Sequence, residues 1–204
     1  MFDTAIYLGP SLRRSEALSI LNANYLPPIC RGDLEKLPRK TKYVGIIDGE
    51  FFQNLAVSSK EIVAALDRGI RVFGAASMGA LRAAEAHTLG MVGVGEIFAM
   101  FRDGILDGDD EVAVVYDPDS YRQVSEPLVN IRRLLELAVA DGVIEEEERN
   151  DLVLQMKSLY FPDRSWEALQ TLCPTLIPFC RCTVMPDVKQ DDARQMLLTI
   201  KGTR

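Results

Sequence analysis

Short apolar runs alternate with helical patterns over the first two thirds of the chain. The apolar runs predict four β-strands, at residues 4–8, 43–47, 70–75 and 111–116. Helices are predicted between and after them, at residues 11–22, 59–68, 78–89 and 95–103. Because the strands are almost continuously apolar rather than alternating, they favour a parallel sheet that is covered on both faces. We therefore predict an α/β fold with a mostly parallel sheet flanked by helices, like half of a Rossmann fold.

The pattern changes after Pro127, beyond which only helical spacings occur. Apolar residues recur at helical spacing at Leu128, Ile131, Leu134, Leu135 and Ala138. Further helices are predicted at residues 145–161, 165–172 and 188–200. We therefore predict an α/β core, residues 1–125, followed by an all-helical C-terminal region, residues 126–204, that packs on the core.

Charge and hydropathy narrow the function classes of this 204-residue chain. A net charge of −7 argues against a nucleic-acid-binding protein, which needs a basic face. No apolar run approaches the roughly 20 residues of a membrane-spanning helix. The N-terminal residues do not resemble a signal peptide. We predict a cytoplasmic protein whose partners include neither nucleic acid nor membrane.

The cysteines give no clear metal site. Cys30, Cys173, Cys180 and Cys182 are expected to be free thiols in a reducing compartment. The last three are close in sequence, but they form no CxxC pair, and the only histidine, His87, is distant from them. This spacing does not match known zinc sites, so we predict no metal and no cofactor.

The most informative segment is RVFGAASMGALRAAE at residues 71–85, where a predicted strand leads through small residues into a helix. Small residues around Ser77 permit a tight turn that lifts its hydroxyl above the sheet edge. The pattern is related to the G-x-S-x-G nucleophile elbow, with one extra residue before the serine. The N–H groups of Met78 and Gly79 are candidates to stabilise an oxyanion when Ser77 attacks a carbonyl carbon. Two alternatives stay open: Ser77 caps the helix, or the helix start binds a phosphate.

A nucleophilic serine needs a base within hydrogen-bonding distance. His87 follows Ser77 on the same predicted helix at a distance of about 15 Å, which is too far. Lys60 is the better candidate, because the capping box Ser58-x-x-Glu61 places it in the first turn of a helix that starts at the same sheet edge as Ser77. Serine–lysine pairs are an established variant of serine catalysis. A solvated surface lysine is the alternative.

Two further predicted turns meet Ser77 at this edge, Gly9-Pro10-Ser11 and Asp48-Gly49-Glu50. Ligands of open α/β sheets bind outside the carboxyl ends of the strands, so both turns are candidates for substrate binding. Asp48 and Glu50 are also candidates to orient Lys60 or an attacking water, with an ordinary turn as the alternative.

Six segments, taken in order, resemble the TfuA family: GPSL at residues 9–12, IDGEFF at 47–52, SKEI at 59–62, GAASMGALRAAE at 74–85, GMVGVGEIF at 90–98 and DDEVAV at 109–114. The resemblance covers roughly residues 2–135, and GAASMGALRAAE is its most specific part. One residue pair departs from the family, which has an aromatic residue and a histidine before the lysine where this chain has Ser58-Ser59.

The resemblance implies a partner of YcaO-type enzymes, which use ATP to replace a peptide amide oxygen with sulfur in the biosynthesis of modified peptides. It also implies hydrolysis of the C-terminal thiocarboxylate of a small ThiS-like protein with a ubiquitin fold, which releases sulfide beside the YcaO enzyme. A serine and a lysine are attributed to this activity, and they fall on Ser77 and Lys60.

Three other functions stay open at this point. The first is a non-catalytic module that docks substrate or the sulfur carrier onto the YcaO enzyme. The second is a nucleotide or phosphate binder at the helix start beside Ser77. The third is a sulfur carrier that uses Cys180 or Cys182.

Overall fold

A computed structural model, which describes residues 2–51 and 55–204, divides the chain into two compact units. Met1–Asp109 with Lys189–Arg204 form the first unit, and Asp110–Val188 form the second. The end of the chain therefore belongs to the same unit as its beginning. The sequence predicts a domain boundary at residue 125. A division into compact units does not test that boundary, so it stays a prediction.

A parallel sheet forms the centre of the first unit. Within the described residues it has five strands: β1 Thr4–Tyr7, β2 Asn24–Leu26, β3 Tyr43–Ile46, β4 Arg71–Gly74 and β5 Val92–Gly93. Their order is β2-β1-β3-β4-β5, and every neighbouring pair is parallel. This is the flavodoxin-like strand order. The predicted α/β class with a parallel sheet is confirmed.

Helices cover both faces of this sheet. They are α1 Arg14–Ile20, α2 Ser59–Asp67, α3 Met78–Ala86, α4 Glu96–Arg102 and α9 Val188–Thr203. Successive residues of β1 point to opposite faces, so Tyr7 packs with α2 and α3 while Ile6 packs with α1 and α9. Both faces are therefore apolar, which explains why the strand sequences do not alternate.

The second unit is helical. It contains α5 Leu128–Ala140, α6 Glu146–Ser158, α7 Trp166–Leu172 and α8 Leu176–Cys182, and these helices share one apolar core. A buried polar network supports that core. The carboxylate of Glu111, which is fully buried, accepts two hydrogen bonds from Arg132, at 2.9 and 2.8 Å. Pairing of this kind is required, because a buried carboxylate without partners would be strongly destabilising.

The predicted strand at residues 111–116 is wrong. A short 3-10 helix, Asp109–Glu111, stands at its start, and only an isolated antiparallel bridge joins Tyr116 to Gln123. The backbone finds its partners locally, since the Val115 N–H donates to Ser125 Oγ and the Val124 N–H donates to the Val115 carbonyl. The apolar run therefore forms a loop instead of a sheet strand.

Three elements were not expected from the sequence: β2, β5 and α8. The two strands are short, and β5 lies in the glycine-rich segment at residues 90–95, for which a loop and helix entry is the natural sequence-based interpretation. Pairing of Phe73 with Val92 and of Gly74 with Gly93 makes this segment a strand. Among the described residues, no helix has both the length and the apolar character needed to cross a membrane.

Helix α3 begins in close contact with strand β3. The Gly79 N–H donates to the Ile47 carbonyl oxygen at 3.3 Å, and a Cβ at residue 79 would overlap the carbonyl oxygen of Ile46. Residue 74, at the end of β4, is similarly tight, because a Cβ there would overlap the Gly79 carbonyl oxygen. Only glycine allows the helix to start so close to the two strands.

The last helix supplies a cap for α4. Both oxygens of Asp192 accept hydrogen bonds from the first turn of α4, one from the Glu96 N–H and one from the Ile97 N–H, each at 2.8 Å. Gly95 lies at the N-cap position with φ 95°, and a Cβ there would overlap the Asp192 carboxylate. Asp192, which is distant in the sequence, therefore accepts the hydrogen bonds that a local N-cap side chain usually accepts.

We predict that Gly79→Ala lowers the free energy of unfolding by about 3 kcal/mol or more, because the new methyl group meets a backbone carbonyl that has no room to move. Gly202→Ala, at an open helical position with nothing within 4 Å of the new Cβ, is the control. It should be neutral or stabilising by up to about 1 kcal/mol. Urea unfolding of both variants measures the difference. Equal effects would show that α3 does not depend on the close contact.

A second prediction concerns the pH dependence of stability. Burial raises the pKa of Asp192 to about 6, although the N–H groups of Ile97 and Glu96 act in the opposite direction. Because the folded-state pKa is raised above 3.8, the stability contributed by protonated Asp192 is present in acid and is lost as the pH rises to about 6. Relative to Asp192→Asn, the wild type should lose about 2 kcal/mol of unfolding free energy between pH 4 and pH 7.

Unfolding of the two proteins in urea across this pH range provides the measurement. Asp191→Asn, at the exposed neighbouring position on the same helix, controls for the loss of one negative charge. A wild type that gains stability relative to Asp192→Asn as the pH rises would contradict the prediction.

Candidate functional site

The junction between β4 and α3 contains a strained turn. Ala76 has φ 65°, and the Ser77 N–H donates to the Ala75 carbonyl at 2.8 Å, closing a three-residue turn. Turns of this kind with positive φ are rare, and strain of about 1–3 kcal/mol is typical of such a conformation in a non-glycine residue. Ala76 is fully buried, so the surrounding packing holds the turn in place. The turn fixes where Ser77 stands at the carboxyl end of β4.

Ser77 does not cap the helix that it precedes. It occupies the N-cap position with φ −123° and ψ −120°, and its side chain makes no capping hydrogen bond. The capping interpretation of this serine is therefore wrong. Ser77 is 2% exposed, so its hydroxyl lies inside the protein and not at the open surface.

Most N–H groups at the start of α3 already have acceptors. The Gly79 N–H bonds to the Ile47 carbonyl, and the Ala80 N–H bonds to the Ser77 carbonyl at 3.0 Å. Met78 is the first helical residue, where an N–H has no acceptor within the helix. Of the two N–H groups expected to stabilise an oxyanion, the Gly79 N–H is therefore bonded to the Ile47 carbonyl, and the Met78 N–H is not.

Asp48 ties together the loops after β1 and β3. Its buried carboxylate accepts hydrogen bonds from the Gly9 N–H at 2.8 Å, the Ser11 N–H at 3.2 Å and the Ser11 hydroxyl at 2.6 Å. These strands meet at the switch point, where flavodoxin-like sheets usually bind their ligands. The structure thus brings the two predicted turns together, and it gives Asp48 a structural role in joining them.

The loop after β3 also contacts the segment that follows β2. Ile29 pairs with Gly49 in a parallel bridge, and the Glu50 N–H donates to the Ile29 carbonyl at 3.1 Å. Cys30 lies next in this segment, where burial, followed by the charges of Asp33 and Glu50, raises the pKa of its thiol. No local sequence pattern indicates that residues 29–30 belong to this edge, because the bridge joins residues that are distant along the chain.

Lys60 lies in the first turn of α2, as predicted, and the Ser58–Glu61 capping box is confirmed. The Lys60 side chain is exposed. It makes no hydrogen bond or ion pair with any other residue that the structure describes. The structure therefore does not show Lys60 joined to Ser77, and their cooperation stays a prediction.

Two remaining expectations concern His87 and Phe52. His87 is exposed on the 3-10 turn His87–Leu89 that follows α3, where its Nδ1 is 2.9 Å from the Ala84 carbonyl oxygen. It is thus at the far end of the helix from Ser77. Phe52, the last residue of the IDGEFF segment, lies outside the described residues.

The described residues contain no group of three or more histidine, cysteine, aspartate or glutamate side chains arranged to hold a metal ion. The four cysteines are free thiols: Cys30 and Cys180 are partly buried, Cys173 is buried and Cys182 is exposed. Cys173 lies 3.4 Å from a carboxylate oxygen of Glu148, and burial raises the pKa of its thiol, with Glu148 adding to this effect.

Comparison with known proteins identifies the family. The model of the TfuA family, described as TfuA-like protein, matches residues 48–165. This range includes Asp48, the α2 turn with Lys60 and the strained turn before Ser77. A search of curated proteins finds no match. Because the family model covers more than half of the chain, the protein belongs to the TfuA-like family.

Proposed function

We propose that the protein is a sulfur-delivery hydrolase that works with a YcaO-type enzyme in the formation of peptide backbone thioamides. It hydrolyses the C-terminal thiocarboxylate of a ThiS-like protein and releases sulfide to the YcaO enzyme. The observation that carries the proposal is the strained turn at Ala76, which holds Ser77 at the carboxyl end of β4 without using it as a helix cap. Membership of the TfuA-like family supports a role in the TfuA and YcaO system.

The strain at Ala76 supports a reactive role for its neighbour. A buried non-glycine residue with φ 65° costs free energy, and such conformations cluster at active sites. A serine that merely packed in the core would not need this turn. The position also fits an open α/β sheet, whose reactive groups lie beyond the carboxyl ends of the strands.

The proposed reaction has two steps. Ser77 Oγ attacks the thiocarboxylate carbon while Lys60 accepts the hydroxyl proton, and the Met78 N–H stabilises the developing oxyanion. The carbon–sulfur bond then breaks, and the protonated Lys60 passes its proton to the departing sulfur, which leaves as hydrosulfide. An acyl ester remains on Ser77, and Lys60 is neutral again. In the second step Lys60 removes a proton from water, which attacks the ester. The products are the carboxylate of the carrier protein and sulfide, and Ser77 recovers its proton.

Lys60 suits this role only as a neutral amine, and it must approach a buried serine. Residues of the loops after β1 and β3, Gly9-Pro10-Ser11 and Asp48-Gly49-Glu50, would border the carrier's C-terminal residues at the same edge. Asp48 would act indirectly, by holding the two loops in place. No cofactor takes part in these steps, and the cytoplasm is the proposed location.

A non-catalytic docking module is the second candidate. The observation that favours it is the contrast between Ser77, which is 2% exposed, and Lys60, which is exposed. In that case the strained turn would shape a binding surface for the carrier or the peptide, and the YcaO enzyme would supply all the chemistry.

We predict that Ser77→Ala and Lys60→Ala each lower sulfide release from a thiocarboxylated ThiS-type protein by at least about 100-fold. The double variant should be little slower than the slower single variant, because residues that act as one unit are non-additive. Lys60→Arg should also be inactive, since arginine does not give up its proton. Sulfide released by the purified chain is the measured quantity.

Lys40→Ala and Ser158→Ala, at exposed positions, are the matched controls and should keep full activity. Circular dichroism establishes that each variant is folded. Folded Ser77→Ala and Lys60→Ala proteins with wild-type sulfide release would exclude the hydrolase. If these variants also supported thioamidation by the YcaO enzyme, the docking module would be favoured instead.

We also predict that Cys30→Ser keeps full sulfide release. Although Cys30 lies near the sheet edge, the raised pKa of its thiol keeps it protonated at neutral pH, and a thiol is a much weaker nucleophile than a thiolate. The fourfold serine variant of all cysteines should behave in the same way. Loss of sulfide release in a folded Cys30→Ser protein would assign the chemistry to this thiol.

A further inference from the structure

Helix α3 is fastened to the start of α2 by two residues of the GAASMGALRAAE segment. The Nε of Arg82 donates to the Val57 carbonyl oxygen at 2.7 Å, and its Nη1 pairs with Glu85 Oε1 at 2.6 Å. The other carboxylate oxygen of Glu85 accepts a hydrogen bond from the Ser59 hydroxyl at 2.5 Å. We call this set of contacts the α2–α3 clamp.

The same turn of α2 is held from its other side. The Glu61 carboxylate accepts from the Ser58 N–H and hydroxyl, each at 2.9 Å, and from the Gly32 N–H at 2.5 Å. Val57, Ser58, Ser59 and Glu61 are therefore all held by contacts to neighbouring residues, through either their backbone or their side chains. These contacts fix the first turn of α2. Lys60, the proposed base, is the exposed residue on that turn.

The direction of the helices explains why this matters for Ser77. Helix α2 follows β3 and precedes the parallel strand β4, so its first turn lies toward the carboxyl edge of the sheet, as does the start of α3. Helical side chains lean toward the N-terminus of their own helix, so the flexible stem of Lys60 leans toward that edge. Arg82 is five residues beyond Ser77, which places the clamp about 7.5 Å along α3 from the serine.

We propose that Arg82 and Glu85 are positioning residues for Lys60: the α2–α3 clamp sets the height and rotation of the first turn of α2, so that the lysine amine reaches the Ser77 hydroxyl in the working complex. The inference rests on the proposed function, in which Lys60 is the base. Neither Arg82 nor Glu85 touches the reacting atoms. They restrict the motion of the turn that carries the Lys60 amine. Loss of this alignment lowers kcat more than it weakens binding of the carrier protein.

The clamp is suited to this role because little stability depends on it. The side chain of Glu85 is 41% exposed, and that of Arg82 is 16% exposed. Exposed ion pairs contribute at most about 1 kcal/mol to folding. Glu85→Ala is therefore expected to fold, so that a loss of activity reports on alignment.

The test measures kcat and KM for sulfide release from a thiocarboxylated ThiS-type protein. We expect Glu85→Ala to lower kcat by about 10- to 100-fold. We expect KM to change by less than about twofold, since the proposal gives the clamp no role in binding the carrier protein. Glu85→Gln keeps an oxygen that accepts from Ser59 but loses the acceptor for Arg82 Nη1, so it should recover part of the rate. A glutamine that fails to rescue a folded protein would overturn the positioning role.

Glu136→Ala is the matched control. Glu136 pairs with Arg133 at the same three-residue spacing on α5, at 3.2 Å and with similar exposure. Its loss should leave kcat unchanged. If Glu85→Ala does not fold, Ser59→Ala removes the clamp contact at its other end by deleting one hydroxyl group, and the same reduction in kcat is expected.

A double-variant cycle decides whether Glu85 acts through Lys60. In a Lys60→Ala background, Glu85→Ala should cause no further loss, because there is no amine left to position. Independent, multiplying losses would overturn the positioning role, and so would a fully active Glu85→Ala protein beside an inactive Lys60→Ala protein. In both of these cases the hydrolase itself stands. If Ser77→Ala and Lys60→Ala are fully active, the proposed function fails, and the positioning role fails with it.

Discussion

The close approach of helix α3 to strand β3 is the contact on which the rest of the site depends. Two glycines, Gly74 and Gly79, let the helix start against the backbone of the sheet, and the Gly79 N–H is bonded to the Ile47 carbonyl. The chain must turn sharply between β4 and this seated helix, which accounts for the positive φ of Ala76. Ser77 follows directly, so the turn, closed by the bond from the Ser77 N–H to the Ala75 carbonyl, sets its place. The same contact occupies the Gly79 N–H, from which an anion bound at the start of α3 would otherwise accept a hydrogen bond.

Two carboxylates connect parts of the first unit that are far apart in sequence. Asp48 joins the loops after β1 and β3 through three hydrogen bonds, and Asp192 caps α4 from the last helix. Each satisfies backbone N–H groups that would otherwise lack a partner. Asp48 joins the two loops at the switch point between β1 and β3, and the proposed chemistry lies beside them at the end of β4. Ser77 thus has the proposed reactive role at this edge, and Asp48 has a structural one.

One short segment supplies both the proposed nucleophile and the contacts that hold the neighbouring helix. Ser77, Arg82 and Glu85 all belong to GAASMGALRAAE, and the last two bind the turn that carries Lys60. The residues of such a family motif therefore need not all take part in the reaction. Small residues in it permit the close packing, and long polar residues fix the relative height of two helices.

The sequence by itself determined the fold class, most helices, the Ser58–Glu61 cap and the turn of small residues that leads through Ser77 into α3. These features depend on local patterns: apolar runs, helical spacing, capping residues and small residues at a turn. Only the tertiary structure decided that the apolar run at residues 111–116 is a loop, because the Val115 N–H donates to Ser125 Oγ and its carbonyl accepts from the Val124 N–H. It also made a strand of Val92–Gly93, placed Ile29 beside Gly49 and gave Asp48 and Asp192 their partners. Each of these outcomes depends on a hydrogen bond between residues whose meeting no local pattern encodes.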